Sequence, residues 1–525
     1  VYSFISGADW ADEVARLDRM SKITKQDVVE WANKYLGPES YAIIYKREGK
    51  DPDEQKIAAP KITPIVTNRD SQSEFLSEIQ TSQVQPIEPV FVDYKKDMSQ
   101  FEAQPGIDVL YKKNETNDIF TLIYVFNTGT ENDPALNLAF NYLSYLGTDK
   151  MTAEEIASEM YDIACSFYMN AGANQSSIQI TGLSENMGKA MEIVEGLIAG
   201  AKPDEAILEN CKADMLKSRA DAKLNQSRCF GALQRYLFYG GDFIRRTTLT
   251  DPALQALTSE QLLAKIGGLM GKQHEVLYYG PQKEAEVKSA LAEHHKVAAD
   301  LQPLEKKFST LLPTDANKVV LAQYDAKQLY YLQFSNRGEK FDVAADPEIT
   351  LYNEYFGGGM NTIVFQEMRE ARGLAYTAWA TLATPSNANG DYSYYAFIAT
   401  QNDKMQKAVE AFDDIINNMP ESEKAFGIAK EALVSRLRTE RTVKDGVLWS
   451  YLRARDLGLD APRDKQIFEK VQSMTLDDVK AAQQKWVKGR KYVYGILGDI
   501  QDLDLNYLKT LGPIQTVSQE EIFGY

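Results

Sequence analysis

Leu257-Thr258-Ser259-Glu260-Gln261-Leu262-Leu263 leads to Glu275-Val276-Leu277-Tyr278-Tyr279, and the pattern of this stretch occurs three times in the chain. The other copies are Ile23-Thr24-Lys25-Gln26-Asp27-Val28-Val29, leading to Tyr41-Ala42-Ile43-Ile44-Tyr45, and Met474-Thr475-Leu476-Asp477-Asp478-Val479, leading to Tyr492-Val493-Tyr494-Gly495-Ile496. In each copy the β-rich run begins 17 residues after the Thr. A Thr hydroxyl at the N-cap accepts an orphan backbone N–H. An acid or Gln in the next turn closes a capping box or answers the helix dipole. Each copy therefore predicts a helix followed by a strand, the closing element of a unit.

Thr24, Thr258 and Thr475 stand 234 and 217 residues apart. A period of that length marks duplicated domains rather than a solenoid of 20–50-residue repeats. Met187-Gly188-Lys189-Ala190-Met191-Glu192 matches Met405-Gln406-Lys407-Ala408-Val409-Glu410 at an offset of 218, and Asp133-Pro134 matches Asp346-Pro347 at 213. Residues 1–50 read as the closing helix and strand of a preceding unit whose body lies elsewhere, so the chain reads as the back portion of a longer protein. Residues 51–88, rich in Pro, Ser, Gln and Asp, read as a linker. Residues 89–303 and 304–515 form two complete units, and 516–525 a tail.

Within the first unit the pattern predicts strands at 107–111, 119–126, 167–170 and 177–183, and helices at 134–146, 153–164, 185–201 and 204–224. The second unit repeats the order. Strands are predicted at 319–324 and 329–334, helices at 348–356 and 361–371, a hairpin at 374–381 and 392–400, and helices at 404–419 and 422–442. The fold class is α+β: tandem duplicated domains of about 215 residues, each a mostly antiparallel sheet packed with helices.

Composition excludes several functions. Lys plus Arg number 58 against 75 Asp plus Glu, a net charge of −17. That balance argues against nucleic acid as a partner, because phosphate contacts need clustered cations. No apolar run is long enough for a membrane-spanning helix. Cys165, Cys211 and Cys229 are too few for a disulfide framework or a Cys-based zinc cluster. The histidines are His274, His294 and His295. A helical zinc site needs two His three or four apart, so the chain is expected to hold no metal ligand and no catalytic residue. His274 reads as a surface or packed imidazole. Gly357-Gly358-Gly359 lacks the Lys-Ser/Thr of a phosphate loop and reads as a tight turn beside a strand.

The stretch Phe365-Gln366-Glu367-Met368-Arg369-Glu370-Ala371-Arg372-Gly373-Leu374-Ala375-Tyr376 carries most of the functional information. Gly373 suits a left-handed helix cap. It places Arg369 in the last helical turn and Tyr376 near the next strand, where a sharp cap can bring both over one surface. Arg offers fixed N–H donors and Tyr one O–H to peptide carbonyls. A solvated helix-end Arg and a half-buried strand Tyr are the plain alternative.

This segment, with Gly357–Met360 before it, resembles the signature of the C-terminal half of pitrilysin/insulinase-type zinc metallopeptidases, the inverzincins. The tandem units and the stretch 57–95 ending in Phe91-Val92-Asp93-Tyr94 are similar to that family as well. The resemblance implies a metallopeptidase or mitochondrial-processing-peptidase-like fold, and it makes Arg369 and Tyr376 substrate-binding groups that hold the scissile peptide. The family's H-x-x-E-H motif has no counterpart here: Leu138-Ala139-Phe140-Asn141-Tyr142 occupies the matching stretch of the first unit, and the region near 353–356 is equally without ligands. Zinc is thus expected in a missing N-terminal half. That half, or an equivalent catalytic subunit, and a peptide substrate are the implied partners. The chain alone is expected to be inactive. A catalytically silent scaffold of the same fold is the alternative, and either a periplasmic or a cytoplasmic location is compatible with the sequence.

Overall fold

The computed structural model describes residues 1–45, 49 and 73–525. Most of the linker predicted over 51–88 lies outside the described residues; within it, Glu74–Thr81 is a helix. The chain divides into two compact units, Val1–Val84 and Gln85–Tyr525.

In the smaller unit the capping box at Thr24 forms. Asp27 N–H donates to Thr24 Oγ1 at 3.2 Å, Thr24 N–H donates to Asp27 Oδ2 at 2.7 Å, and the helix Lys25–Tyr35 follows. The strand predicted at 41–45 does not form, and its side chains are exposed. A strand needs a neighbour to take its backbone groups, and these residues have no ladder partner among the described residues.

The larger unit holds two six-stranded sheets of like design. The first comprises β1 (Ser99–Gln104), β2 (Ile107–Lys113), β3 (Ile119–Phe126), β4 (Cys165–Ala171), β5 (Ser176–Leu183) and β6 (His274–Gly280), in the order β1-β2-β6-β3-β5-β4. The second comprises β7 (Lys318–Gln323), β8 (Gln328–Lys340), β9 (Thr377–Ala383), β10 (Asp391–Gln401), β11 (Val493–Gly498) and β12 (Ile514–Val517), in the order β12-β7-β11-β8-β10-β9. The repeated element closes both sheets in one way. β6 lies between parallel β2 and antiparallel β3, and β11 between parallel β7 and antiparallel β8. The helices before them, Ser259–Leu269 and Leu476–Ala482, carry the predicted capping boxes at Thr258 and Thr475.

One face of each sheet packs on its own helices. The Met187–Gly200 and Leu136–Leu143 helices pack against Leu122, Tyr124, Ile178 and Val276 in the first module. The Asp346–Phe356 and Met405–Asn417 helices pack against Tyr331, Tyr394 and Ile496 in the second. The opposite faces are covered by exchange. The helix Gln226–Thr247, kinked at Gly240 (φ 82), lays Cys229, Phe230, Leu233 and Leu237 on Leu332, Phe334 and Leu497 of the second sheet. The helix Gly446–Asp456 lays Leu448 and Leu452 on Leu110, Ile123 and Leu277 of the first. Arg455 fixes it there by a bidentate pair to Glu275 of β6, with Nη2 2.8 Å from Oε2. Each sheet is thus buried on both sides, which explains why β6 and β11 read as continuous apolar runs rather than alternating ones.

Candidate functional site

The structure brings Arg369 and Tyr376 together. The Arg369 guanidinium lies 5.0 Å from the Tyr376 ring centroid and 4.9 Å from that of Phe365, so it is held between two aromatic faces. Its Nε is 3.7 Å from Glu370 Oε1. Tyr376 is 72% exposed, and its hydroxyl has no hydrogen-bond partner among the described residues. The pair therefore presents an ordered cation and a free O–H on an open surface at the start of β9.

The local backbone produces this geometry and corrects the expectation of a regular helix over 361–371. Only Ile363–Phe365 is α-helical, and Gln366–Ala371 is a π-turn. Arg372 N–H reaches back five residues to Glu367 O (3.2 Å), and Leu374 N–H six residues to Met368 O (2.9 Å). The widened turn is pinned by Met368, which is fully buried, and is ended by Gly373 at φ 56, as its sequence position predicted. π-turns of this kind recur at functional sites. Leu374–Tyr376 is consumed in the connection, so β9 starts at Thr377 rather than at Leu374.

The outer edge of β9 is covered in part, at Ala380 and Leu382. Ala380 N–H donates to Gly357 O at 3.3 Å, and Asn353 both accepts from Leu382 N–H and donates to Leu382 O, each at 2.9 Å. Gly357 is required by proximity, since a Cβ there would lie 2.0 Å from Ala380 O. The turn beside a strand expected for the triglycine thus caps this edge at Ala380, and Asn353 of the preceding helix caps it at Leu382.

The helix Leu136–Leu143 occupies the place where the resemblance would put metal ligands. Leu138, Ala139, Phe140 and Tyr142 are buried in packing, and Tyr142 Oη donates to Ser259 Oγ at 2.8 Å. Asn137 and Asn141 line a cavity of about 270 Å³ beside β4, with Ser144, Tyr168 and Asn170. Amides and hydroxyls do not form a zinc donor set. Among the described residues no group of three or more His, Cys, Asp or Glu is arranged to hold a metal ion. The three cysteines are free and buried, and burial pushes their thiols up, away from reactive thiolates.

One polar cluster was not foreseen. His274 is packed, as one of its expected readings had it, but within a buried chain of hydrogen bonds. Its Nδ1–H donates to Lys272 O at 2.8 Å, and its Nε2 lies 2.8 Å from His295 Nε2. His295 Nδ1 lies 2.6 Å from Glu195 Oε1, which also accepts from Tyr124 Oη at 2.9 Å, while Glu195 Oε2 accepts from Lys296 N–H at 2.7 Å. Burial, then the neighbouring His295, lowers the His274 pKa to about 4. With Nδ1–H committed to a carbonyl, neutral His274 must accept at Nε2, so His295 Nε2 carries the hydrogen. The cluster ties β6, β3, the helix Met187–Gly200 and the segment after Glu284–His294 into one core. Its partners are 21 and 100 residues apart, and no local pattern announces it.

Known proteins share this architecture. The profile of the peptidase M16 inactive domain matches residues 273–433. An uncharacterized zinc protease of Rickettsia bellii is 23% identical over 312 residues, 57% of this chain and 70% of that protein. The peptidase M16 inactive domain structure from Pseudomonas fluorescens superposes with a TM-score of 0.61 at 18% identity, covering 77% of this chain and 98% of that one. The ferredoxin protease FusC, solved in complex with Arabidopsis ferredoxin, gives a TM-score of 0.61 at 13% identity, covering 91% of this chain but 51% of its own. This chain therefore spans about half the length of FusC. Residues 273–433 thus resemble the peptidase M16 inactive domain, and the fold is one shared with solved M16 structures.

Proposed function

We propose that this chain is the metal-free half of a zinc-dependent endopeptidase or oligopeptidase, which closes the substrate chamber and holds the scissile peptide with Arg369 and Tyr376. The observation that supports this reading is the pairing itself: an Arg fixed between Phe365 and Tyr376, beside an exposed phenol whose hydroxyl has no hydrogen-bond partner among the described residues. An ordered guanidinium suits a peptide carbonyl, and a free O–H suits the oxygen on which charge develops during acyl transfer. The zinc and the general base belong to the other half, since the helix Leu136–Leu143 offers neither. FusC was solved with a protein partner, so we take a polypeptide as the substrate class here also.

Tyr376→Phe in the assembled enzyme tests this. One oxyanion donor is worth about 3 kcal/mol, so kcat should fall on the order of 100-fold while KM moves little. Wild-type kcat/KM in that variant would remove Tyr376 from the reaction. The alternative, a silent scaffold, predicts that the assembled protein hydrolyses no peptide at all.

A further inference from the structure

The two sheets have four outer strands, and three of these carry a feature that keeps a further strand away. β1 is charged at the exposed Glu102, and its register shifts between Glu102 and Gln104. β12 is only four residues long. β9 is covered at Ala380 and Leu382. β4 has none of these devices. Cys165–Ala171 contains no charge, Pro or Gly, and its register with β5 is unbroken over all seven residues. That register determines which backbone groups are open. Gly172 N–H donates to Gln175 O at 2.8 Å and Leu183 N–H to Ala164 O at 3.3 Å, so the even-numbered residues exchange hydrogen bonds with β5. The N–H and C=O groups of Cys165, Phe167, Met169 and Ala171 therefore point to the outer edge, and no described residue bonds to them. Beside this edge, Asn137, Asn141 and Ser144 form one stripe along the helix Leu136–Leu143 and its cap, and they line the cavity of about 270 Å³. The side-chain amides of Asn137 and Asn141 bond to no described residue. No charged side chain lines this cavity, in a chain of net charge −17.

We propose that the outer edge of β4 binds an extended polypeptide, which adds to the first sheet as a further strand and places uncharged side chains in the cavity beside it. The open backbone groups run from Cys165 to Ala171, about 20 Å, which matches a segment of about seven residues. Backbone pairing is indifferent to sequence, so selectivity falls to the cavity. Its amides and hydroxyl suit Ser, Thr, Asn or Gln side chains. A Lys or Glu side chain there would lose water without meeting an opposite charge. A second copy of this chain fits less well, because its own helix Leu136–Leu143 stands beside the same edge and would enter the space that the peptide needs. The argument uses the edge and the cavity alone, and it holds for a peptidase and a scaffold alike.

Hydrogen exchange on the 525-residue chain, with and without the uncharged peptide acetyl-Thr-Val-Ser-Thr-Gln-Val-Thr-amide at about 1 mM, tests it. The Phe167 and Met169 amides should exchange about tenfold more slowly with peptide, as a dissociation constant of about 0.1 mM gives, while those of Ala380 and Leu382 stay unchanged. The fully N-methylated peptide keeps the side chains but cannot pair, and it should protect nothing. Asn141→Lys, at an exposed position, should weaken the protection at least about tenfold and leave exchange in β3 and β6 as it was. No slowing at Phe167 and Met169 overturns the proposal, as does slowing by the N-methylated peptide or slowing that survives Asn141→Lys. Protection of these amides without peptide, in a dimer by light scattering, overturns it too, because a second copy would then hold the edge.

Discussion

Acidification should weaken the first module through one side chain. His274 has its pKa lowered to about 4 from 6.5 by burial, then by His295. The native state therefore binds fewer protons than the unfolded chain between those values. The stability this represents is fully present above the unfolded pKa and is lost as the pH falls toward the folded one. Linkage gives a loss of about 2 kcal/mol between pH 7 and pH 5, and about 3 kcal/mol by pH 4. Asp413, half-buried on the Met405–Asn417 helix, acts in the opposite sense. Burial raises its carboxyl from 3.8 to about 6, so protonation below that value favours the folded state, by about 1 kcal/mol between pH 7 and pH 5. A single denaturation curve would show the two effects largely cancelling.

The informative quantity is a difference between variants. In His274→Gln the amide supplies one donor for Lys272 O and one acceptor for His295, and it does not titrate. Urea unfolding of both proteins across this pH range should show the variant gaining about 2 kcal/mol on the wild type between pH 7 and pH 5, whatever its offset at neutral pH. Parallel curves, within about 0.5 kcal/mol, would refute the assignment of a neutral, buried His274 acting as acceptor from His295.

Asp413→Asn should stabilise the protein at pH 7 by up to about 3 kcal/mol, with the gain shrinking as the pH falls through about 6; a pH-independent urea midpoint difference would count against it. Leu233→Ala should cost about 2–5 kcal/mol, and hydrogen exchange should place the loss in β8 and β11 of the second sheet, although Leu233 lies between β5 and β6 in sequence. Gly357→Ala should cost about 1–3 kcal/mol in thermal unfolding and expose the Ala380 and Leu382 amides to exchange, because the added methyl meets Ala380 O.

What the sequence made legible was local. Thr258 with Gln261, and Thr475 with Asp478, form the capping boxes that their spacing announces, and β3 spans Ile119–Phe126 as its β-branched and aromatic run predicts. Gly373 takes the left-handed cap, which is why Arg369 and Tyr376 meet. What stayed hidden depends on distant partners. The helix Gln226–Thr247 carries apolar residues at helical spacing, but nothing in it says that they cover the neighbouring sheet. Phe365, four residues before Arg369, is the second face of the guanidinium sandwich; that spacing is a recognisable helix-pair signal, yet the π-turn between the two is not. The first closing element shows the limit from the other side. Its helix and capping box form, but its strand, lacking neighbours, does not.

The partly covered edge of β9 bears on how, in the proposed reading, this half would engage a peptide. Strand addition draws its affinity from a row of free backbone N–H and C=O groups. The Ala380 N–H is taken by Gly357 and both backbone groups of Leu382 by Asn353, within the module itself. In the proposed reading an extended chain at this surface would meet a backbone ladder closed at Ala380 N–H and Leu382. It would also meet the groups just before the strand, the Arg369 guanidinium and the Tyr376 hydroxyl, both side-chain donors. Side-chain donors at a fixed point select a position along a peptide rather than a length of it, so their removal should act on the reacting bond more than on binding. In the proposed reading the kcat effect of Tyr376→Phe should therefore persist in short peptides that span only the cleavage site. A loss confined to long substrates would instead mean that this surface binds the chain away from the reaction.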